Sequence, residues 1–175
     1  MYSKPQIERR VREMGQAISS DYAGEHLVIL GVLRGVFCFM ADLMREIILP
    51  TAVDFMSISY YGAGNQNGGV HITKGPDIDI AGRHVLLVED IVDTGMTLNY
   101  LLRYLQECKP ASLKVCALLD KQVRRLVDVK LDYVGFEVPD EFLVGYGLDY
   151  LERYRNMPFI GILRPGERPE PARAP

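Results

Sequence analysis

The sequence predicts an α/β fold: a parallel-sheet core flanked by helices, with a smaller subdomain added late in the chain. Three features predict it. Short, predominantly apolar runs at 27–33, 85–88 and 113–119 have the composition of strands covered on both faces, as in parallel sheets. Segments with apolar residues at three- and four-residue spacing alternate with the early runs, as crossover helices do. Beyond about residue 125 strand patterns continue with little helix, which marks an appended subdomain.

A chain of 175 residues suits one domain whose core needs neither disulfides nor a structural metal. We expect that domain to span 1–163, with its core at about 24–125 and the added part mainly at about 126–163, the N-terminus being a candidate contributor. A formal net charge of −3, with 25% charged and 48% hydrophobic residues, gives no electrostatic footprint for nucleic acid. Cys38, Cys108 and Cys116 are odd in number and lack metal-ligand spacing, so they read as reduced thiols of a cytoplasmic protein. The first residues carry charges at Lys4, Glu8, Arg9, Arg10 and Arg12 where a signal peptide is apolar. No run approaches the roughly 18 apolar residues of a membrane span.

Ile7, Val11, Met14, Ile18 and Tyr22 describe an amphipathic helix that opens near Pro5. The strand at 27–33 enters a tight turn at Arg34-Gly35 before an apolar helix over 36–48. A strand, a turn with Gly and a basic residue, and a helix can form an anion site. Residues 53–60 read as a strand of high β propensity, and 61–69, rich in Gly and Asn, as a mobile lid. A short strand returns at 70–74, and 75–83 links it to the apolar run at 85–88.

That run leads directly to the richest stretch of the chain. Glu89 and Asp90 follow it, at the carboxyl end of a strand, where open α/β sheets bind ligands. Asp93-Thr94-Gly95-Met96-Thr97 then precedes the helical pattern Leu98, Leu101, Leu102, Leu105. N–H groups at a helix start, helped by the Thr94 and Thr97 hydroxyls, suit a phosphate. Taken singly, Asp93 or Thr94 is a helix cap and the acids are solvated; their ordered coincidence after one buried strand points to function. Strands at 113–119 and 133–138 follow, the first ending in Asp120-Lys121. Residues 159–163 close the regular part, and the proline-rich 164–175 reads as a disordered tail.

Glu-Asp-Ile-Val-Asp-Thr-Gly at 89–95 closely resembles the phosphoribosyl-pyrophosphate (PRPP) signature of the type I phosphoribosyltransferases, in its purine-salvage form. Gly-Val-Leu-Arg-Gly at 31–35, Asp-Phe-Met at 54–56 and Leu-Leu-Asp-Lys at 118–121 extend the resemblance. So does Val-Gly-Phe-Glu-Val-Pro-Asp-Glu-Phe-Leu-Val-Gly-Tyr-Gly-Leu-Asp-Tyr at 134–150, close to that family's base-binding hood string. The similarity runs from about 27 to 162 and is greatest to the bacterial hypoxanthine and hypoxanthine-guanine branch.

The resemblance implies the type I phosphoribosyltransferase fold with a small hood, and transfer of ribose 5-phosphate from PRPP to a purine with Mg²⁺ present. It implies that Glu89 and Asp90 hold the ribose hydroxyls, and that the turn from Asp93 to Thr97 binds the 5-phosphate. Asp93 would also face the purine N7 and take its proton. Leu33, Arg34, Gly35 and Arg155 would meet pyrophosphate, the Leu33-Arg34 peptide often being cis in this family. Lys121 would donate to a 6-oxo group, Phe142 would stack on the base and the Leu143 backbone would read its edge. Asp149 would bind Mg²⁺, with Glu89 and Asp90 as further candidates.

Hypoxanthine is the first expected substrate and Lys121 does not separate it from guanine; a xanthine-preferring phosphoribosyltransferase is one alternative. An RNA-binding regulator on the same fold is the other alternative, against which the hood string and net acidity weigh. The resemblance further implies a homodimer or homotetramer, with helix 36–48 a candidate surface. One departure stands out: Tyr60-Tyr61 occupies the lid position where the family carries Ser-Tyr, and Ser59 is displaced by one residue. In a strand that shift turns a side chain to the opposite face.

Overall fold

The structure is a computed structural model that describes residues 1–61 and 69–167. The expected lid segment 62–68, the side chains of Tyr60 and Tyr61, and residues 168–175 of the expected tail lie outside the described residues.

Helices α1 (Lys4–Asp21), α2 (Phe37–Glu46) and α3 (Met96–Glu107) accompany strands β1 (Leu27–Leu33), β2 (Thr51–Tyr61), β3 (Gly69–Lys74), β4 (His84–Val92), β5 (Ser112–Asp120) and β6 (Tyr133–Glu137). These six strands form one sheet in the order β3-β2-β1-β4-β5-β6, parallel throughout except that β3 runs antiparallel to β2. A separate two-stranded sheet pairs β7 (Leu143–Val144) with β8 (Gly161–Ile162).

Period-two alternation sorts the strand residues onto two buried faces. Leu27 and Ile29 of β1, with Leu86 and Val88 of β4, pack among α1 and α2. Val28, Leu30 and Val32, with Val85 and Leu87, pack under α3. The predicted stripe of α1, Ile7, Val11, Met14, Ile18 and Tyr22, is buried throughout. Pro5 sits in the helix's first turn, and the Gln6 side chain accepts the Ser3 N–H at 2.9 Å.

Three boundaries differ from the sequence reading. Helix α2 ends at Glu46, because Ile47 is already extended (φ −88°, ψ 116°) and Leu49 precedes a proline, which disfavours helix there. Within 159–163, which closes the regular part, only Gly161–Ile162 form a strand, β8, and Ile160 exchanges hydrogen bonds of 2.9 Å with Tyr2; the N-terminus thus joins the late part of the chain. Residues Pro165–Glu167 of the expected tail form a 3₁₀ turn.

A fourth difference prepares the site. Strand β4 continues through Glu89 and Asp90 to Val92 because β5 stays paired with it as far as Val92↔Asp120. Pairing with β1 stops at Gly31↔Val88. The sheet therefore splits on the β1 side where the two acids begin, and there the strand order reverses direction, from β1 outward to β3 and from β4 outward to β6. Such a switch point is where open α/β sheets form a ligand crevice.

Candidate active site

A cleft of about 490 Å³ opens at this split. Its floor is the carboxyl end of β4, and its walls come from the turns after β1 and β4, the start of the segment after β5, and the 142–155 region. Every sequence-predicted site residue with a described side chain lines it except Met96, which is 56% exposed at the start of α3. Tyr60 and Tyr61 pair through their backbones with Val70 and Gly69.

The floor is acidic and partly dry. Glu89 is buried, and burial, aided by the Asp90 charge, raises its carboxyl well above the usual range. Burial also raises Asp90, to about 6, against the opposing pull of the Ile91 N–H and of Arg155, while Asp149 adds to the rise. The Ile91 N–H donates to Asp90 Oδ1 at 2.7 Å. Two acids that ionise reluctantly gain most from a cation or hydroxyl donors placed beside them.

The turn after β4 ends on Gly95, the N-cap of α3, whose φ of +81° suits glycine. The N-cap position is Gly95 itself, so neither Asp93 nor Thr94 is the cap residue, although Thr94 Oγ1 accepts the Met96 N–H at 3.4 Å. Loop residues 126–127 clamp the turn from behind: the Leu126 and Val127 N–H groups donate to Thr94 O at 2.9 and 3.1 Å. A Cβ on Gly95 would lie 2.6 Å from Val127 O. The turn is thus fixed while the amino end of α3 faces the cleft with its partial positive charge.

Asp93 Oδ1 is buried without a hydrogen-bond partner among the described residues. Arg124 Nε lies 3.5 Å away, and the same guanidinium reaches to 3.7 Å from Asp140. The guanidinium neutralises part of the charge but makes no hydrogen bond to Oδ1, so this buried acceptor is incompletely satisfied.

Lys121, immediately after β5, buries its side chain and donates to Glu141 O at 2.9 Å; the ammonium has three hydrogens to give. Phe142 is 37% exposed, with Tyr150 edge-on to it at 5.4 Å between centroids and 90° between planes. Leu143 is buried in β7.

Opposite the acids, Arg34 follows a cis Leu33-Arg34 peptide. Arg155 donates to Gly147 O at 2.8 Å and pairs with Asp149 Oδ1 at 2.9 Å, while Asp149 Oδ2 accepts the Glu152 N–H at 2.9 Å. Among the described residues no three His, Cys, Asp or Glu side chains converge into a metal cage. Isolated carboxylates beside an anion site fit Mg²⁺, which takes one or two protein carboxylates and completes its shell from phosphates and water.

Residues 1–151 match the phosphoribosyl transferase domain. The chain belongs to that family. Among phosphoribosyltransferases it is 46% identical to the hypoxanthine-guanine enzyme of Bacillus subtilis (strain 168), over 94% of this chain and 92% of that one. It is 49% identical to the hypoxanthine phosphoribosyltransferase of Haemophilus influenzae, over 92% of each chain. The structure superposes on a Staphylococcus aureus hypoxanthine phosphoribosyltransferase with a TM-score of 0.92 at 42% identity, over 97% of this chain and 93% of that one. The fold is that of the type I phosphoribosyltransferases.

Two residues the sequence reading passed over pair with residues that line this cleft, Arg124 with Asp93 and Glu152 with Arg34 and Arg155. Arg124 beside Asp93 carried no signal beyond its charge. Glu152 lies three residues from both Asp149 and Arg155, a spacing that becomes informative only once the loop is seen to fold back on Arg34.

Proposed function

We propose that this cleft transfers ribose 5-phosphate from PRPP to hypoxanthine, and also to guanine, yielding IMP or GMP and pyrophosphate. The observation that carries the reading is Asp93 Oδ1, a buried carboxylate oxygen without a hydrogen-bond partner among the described residues, set between the start of α3 and the buried Lys121.

In this reading the 5-phosphate rests on the α3 amino end and the Thr94 and Thr97 hydroxyls. Asp93 accepts the proton from the purine N7 as the base becomes the nucleophile. Glu89 and Asp90 accept the ribose hydroxyls, and their charge favours the cationic sugar as the bond to pyrophosphate lengthens. Leu33, Arg34, Gly35 and Arg155 receive pyrophosphate. Lys121 donates to the purine 6-oxo oxygen, which an amino group cannot match, so adenine is rejected. Phe142, steadied by Tyr150, stacks on the base, and the Leu143 backbone meets its edge.

Asp149, with Glu89 or Asp90, would hold Mg²⁺, which when bound neutralises charge on the departing pyrophosphate. We extend the proposal to a homodimer or homotetramer in the cytoplasm: α2 turns Phe39, Met40 and Leu43 into the core but leaves Phe37 and Met44 exposed.

The test is nucleotide formation from PRPP and Mg²⁺ with hypoxanthine, guanine, xanthine, adenine or uracil. Turnover with hypoxanthine and guanine but not adenine or uracil is expected. Turnover led by xanthine would overturn the base assignment, and inactivity with every base would overturn the enzyme reading.

A further inference from the structure

Glu152 touches both arginines that face the pyrophosphate end of the cleft. Its Oε1 lies 2.8 Å from Arg34 Nη2, and its Oε2 lies 3.2 Å from Arg155 Nη2. Arg34 belongs to the turn after β1 and Arg155 to the far end of the 142–155 region, so one carboxylate ties two distant segments together. An anion that bridges two guanidiniums occupies the positions that two pyrophosphate oxygens would take.

We propose that Glu152 is an internal stand-in for pyrophosphate: its carboxylate occupies Arg34 and Arg155 before substrate binds, and competes with pyrophosphate for them. The inference rests on the functional reading above and adds a residue to it.

Three observations favour competition over mere bracing. Arg155 does not depend on Glu152 for its place, since Gly147 O and Asp149 Oδ1 also hold it. The pair of Glu152 with Arg34 is exposed, at 60% and 71%, and exposed ion pairs are weak and readily exchanged. Leu151 and Glu152 have φ of +51° and +61°, a left-handed backbone that L residues adopt only at a cost, so the segment presenting Glu152 is not held by backbone preference. Asp149 is coupled to the same step, because its Oδ2 accepts the Glu152 N–H. When pyrophosphate draws the arginines away, Asp149 loses a pairing and becomes more available to a cation.

The test is calorimetric titration of the full chain with pyrophosphate in the presence of Mg²⁺, comparing wild type with Glu152→Gln. The substitution keeps shape and removes the competing charge. Tighter pyrophosphate binding, by about threefold or more, is expected, together with a lower KM for PRPP. A residue that only braced the arginines would show the opposite, so unchanged or weaker binding overturns the inference. If Glu152→Gln does not fold, Glu152→Ala is read by the same criterion. Wild-type chain that binds no pyrophosphate under these conditions would overturn the functional reading as well, which separates the two failures.

Discussion

Gly35 and Asp90 approach so closely that a Cβ on Gly35 would lie 1.7 Å from Asp90 Oδ2. The contact joins the turn after β1 to the floor of the cleft, across the split where β1 and β4 part. Glycine is required there by proximity, and its φ is unexceptional. Gly147 adds to the same crowding, since its own Cβ would lie 2.1 Å from Gly35 O.

Gly35→Ala is therefore expected to push the Asp90 carboxylate out of position while the sheet stays intact. KM for PRPP should rise at least about tenfold, a misplacement effect of the kind that small shifts at a site produce. Steady-state kinetics and a thermal melt check it; an unchanged KM would mean that Asp90 does not meet the sugar.

Replacing Lys121 tests the base. Lys121→Gln should reduce kcat/KM for hypoxanthine by about 100-fold, since a site built to hydrogen-bond a substrate oxygen loses strongly when the donor weakens. The ratio of hypoxanthine to adenine turnover should fall with it. Equal losses for every base would assign Lys121 to structure alone.

Asp54 has a structural task. It is buried and accepts N–H groups from Phe55, Asp77 and Ile78 at 2.7, 2.6 and 2.9 Å, pinning the linker after β3 to β2. Burial works to raise its carboxyl, but the three N–H bonds and Lys74 outweigh that and hold it below the usual value. Asp54→Ala should cost about 3 kcal/mol at pH 7, because buried donors are left unpaired. A depressed folded pKa stabilises above the unfolded value of about 3.9 and loses that contribution as pH falls through the folded one. The gap between wild type and Asp54→Asn in urea melts should accordingly narrow below about pH 4. A gap that widens there would contradict the assignment.

Much of this was legible because local signals agreed. The apolar runs at 27–33 and 85–88 became central strands, and the stripe from Ile7 to Tyr22 became the buried face of α1, since period and composition both follow from burial. The Asp93–Thr97 turn could be read because strand, acids and helix start are contiguous. Relationships between distant segments were not legible. Nothing in sequence tells that Gly35 meets Asp90, that Tyr2 pairs with Ile160, or that Glu152 reaches Arg34, because each depends on how loops pack after the sheet has formed. Asp-Phe-Met at 54–56 carried the family resemblance, yet only the hydrogen bonds of Asp54 reveal its structural task.

The most direct measurement is the rate of IMP formation by Asp93→Asn at saturating PRPP and hypoxanthine, alongside its PRPP dissociation constant. Asparagine keeps the shape of the side chain but cannot take the purine proton. The account predicts a fall in kcat of at least about 100-fold, with PRPP binding within about threefold of wild type. Wild-type turnover in Asp93→Asn would contradict it and leave Asp93 as a turn residue.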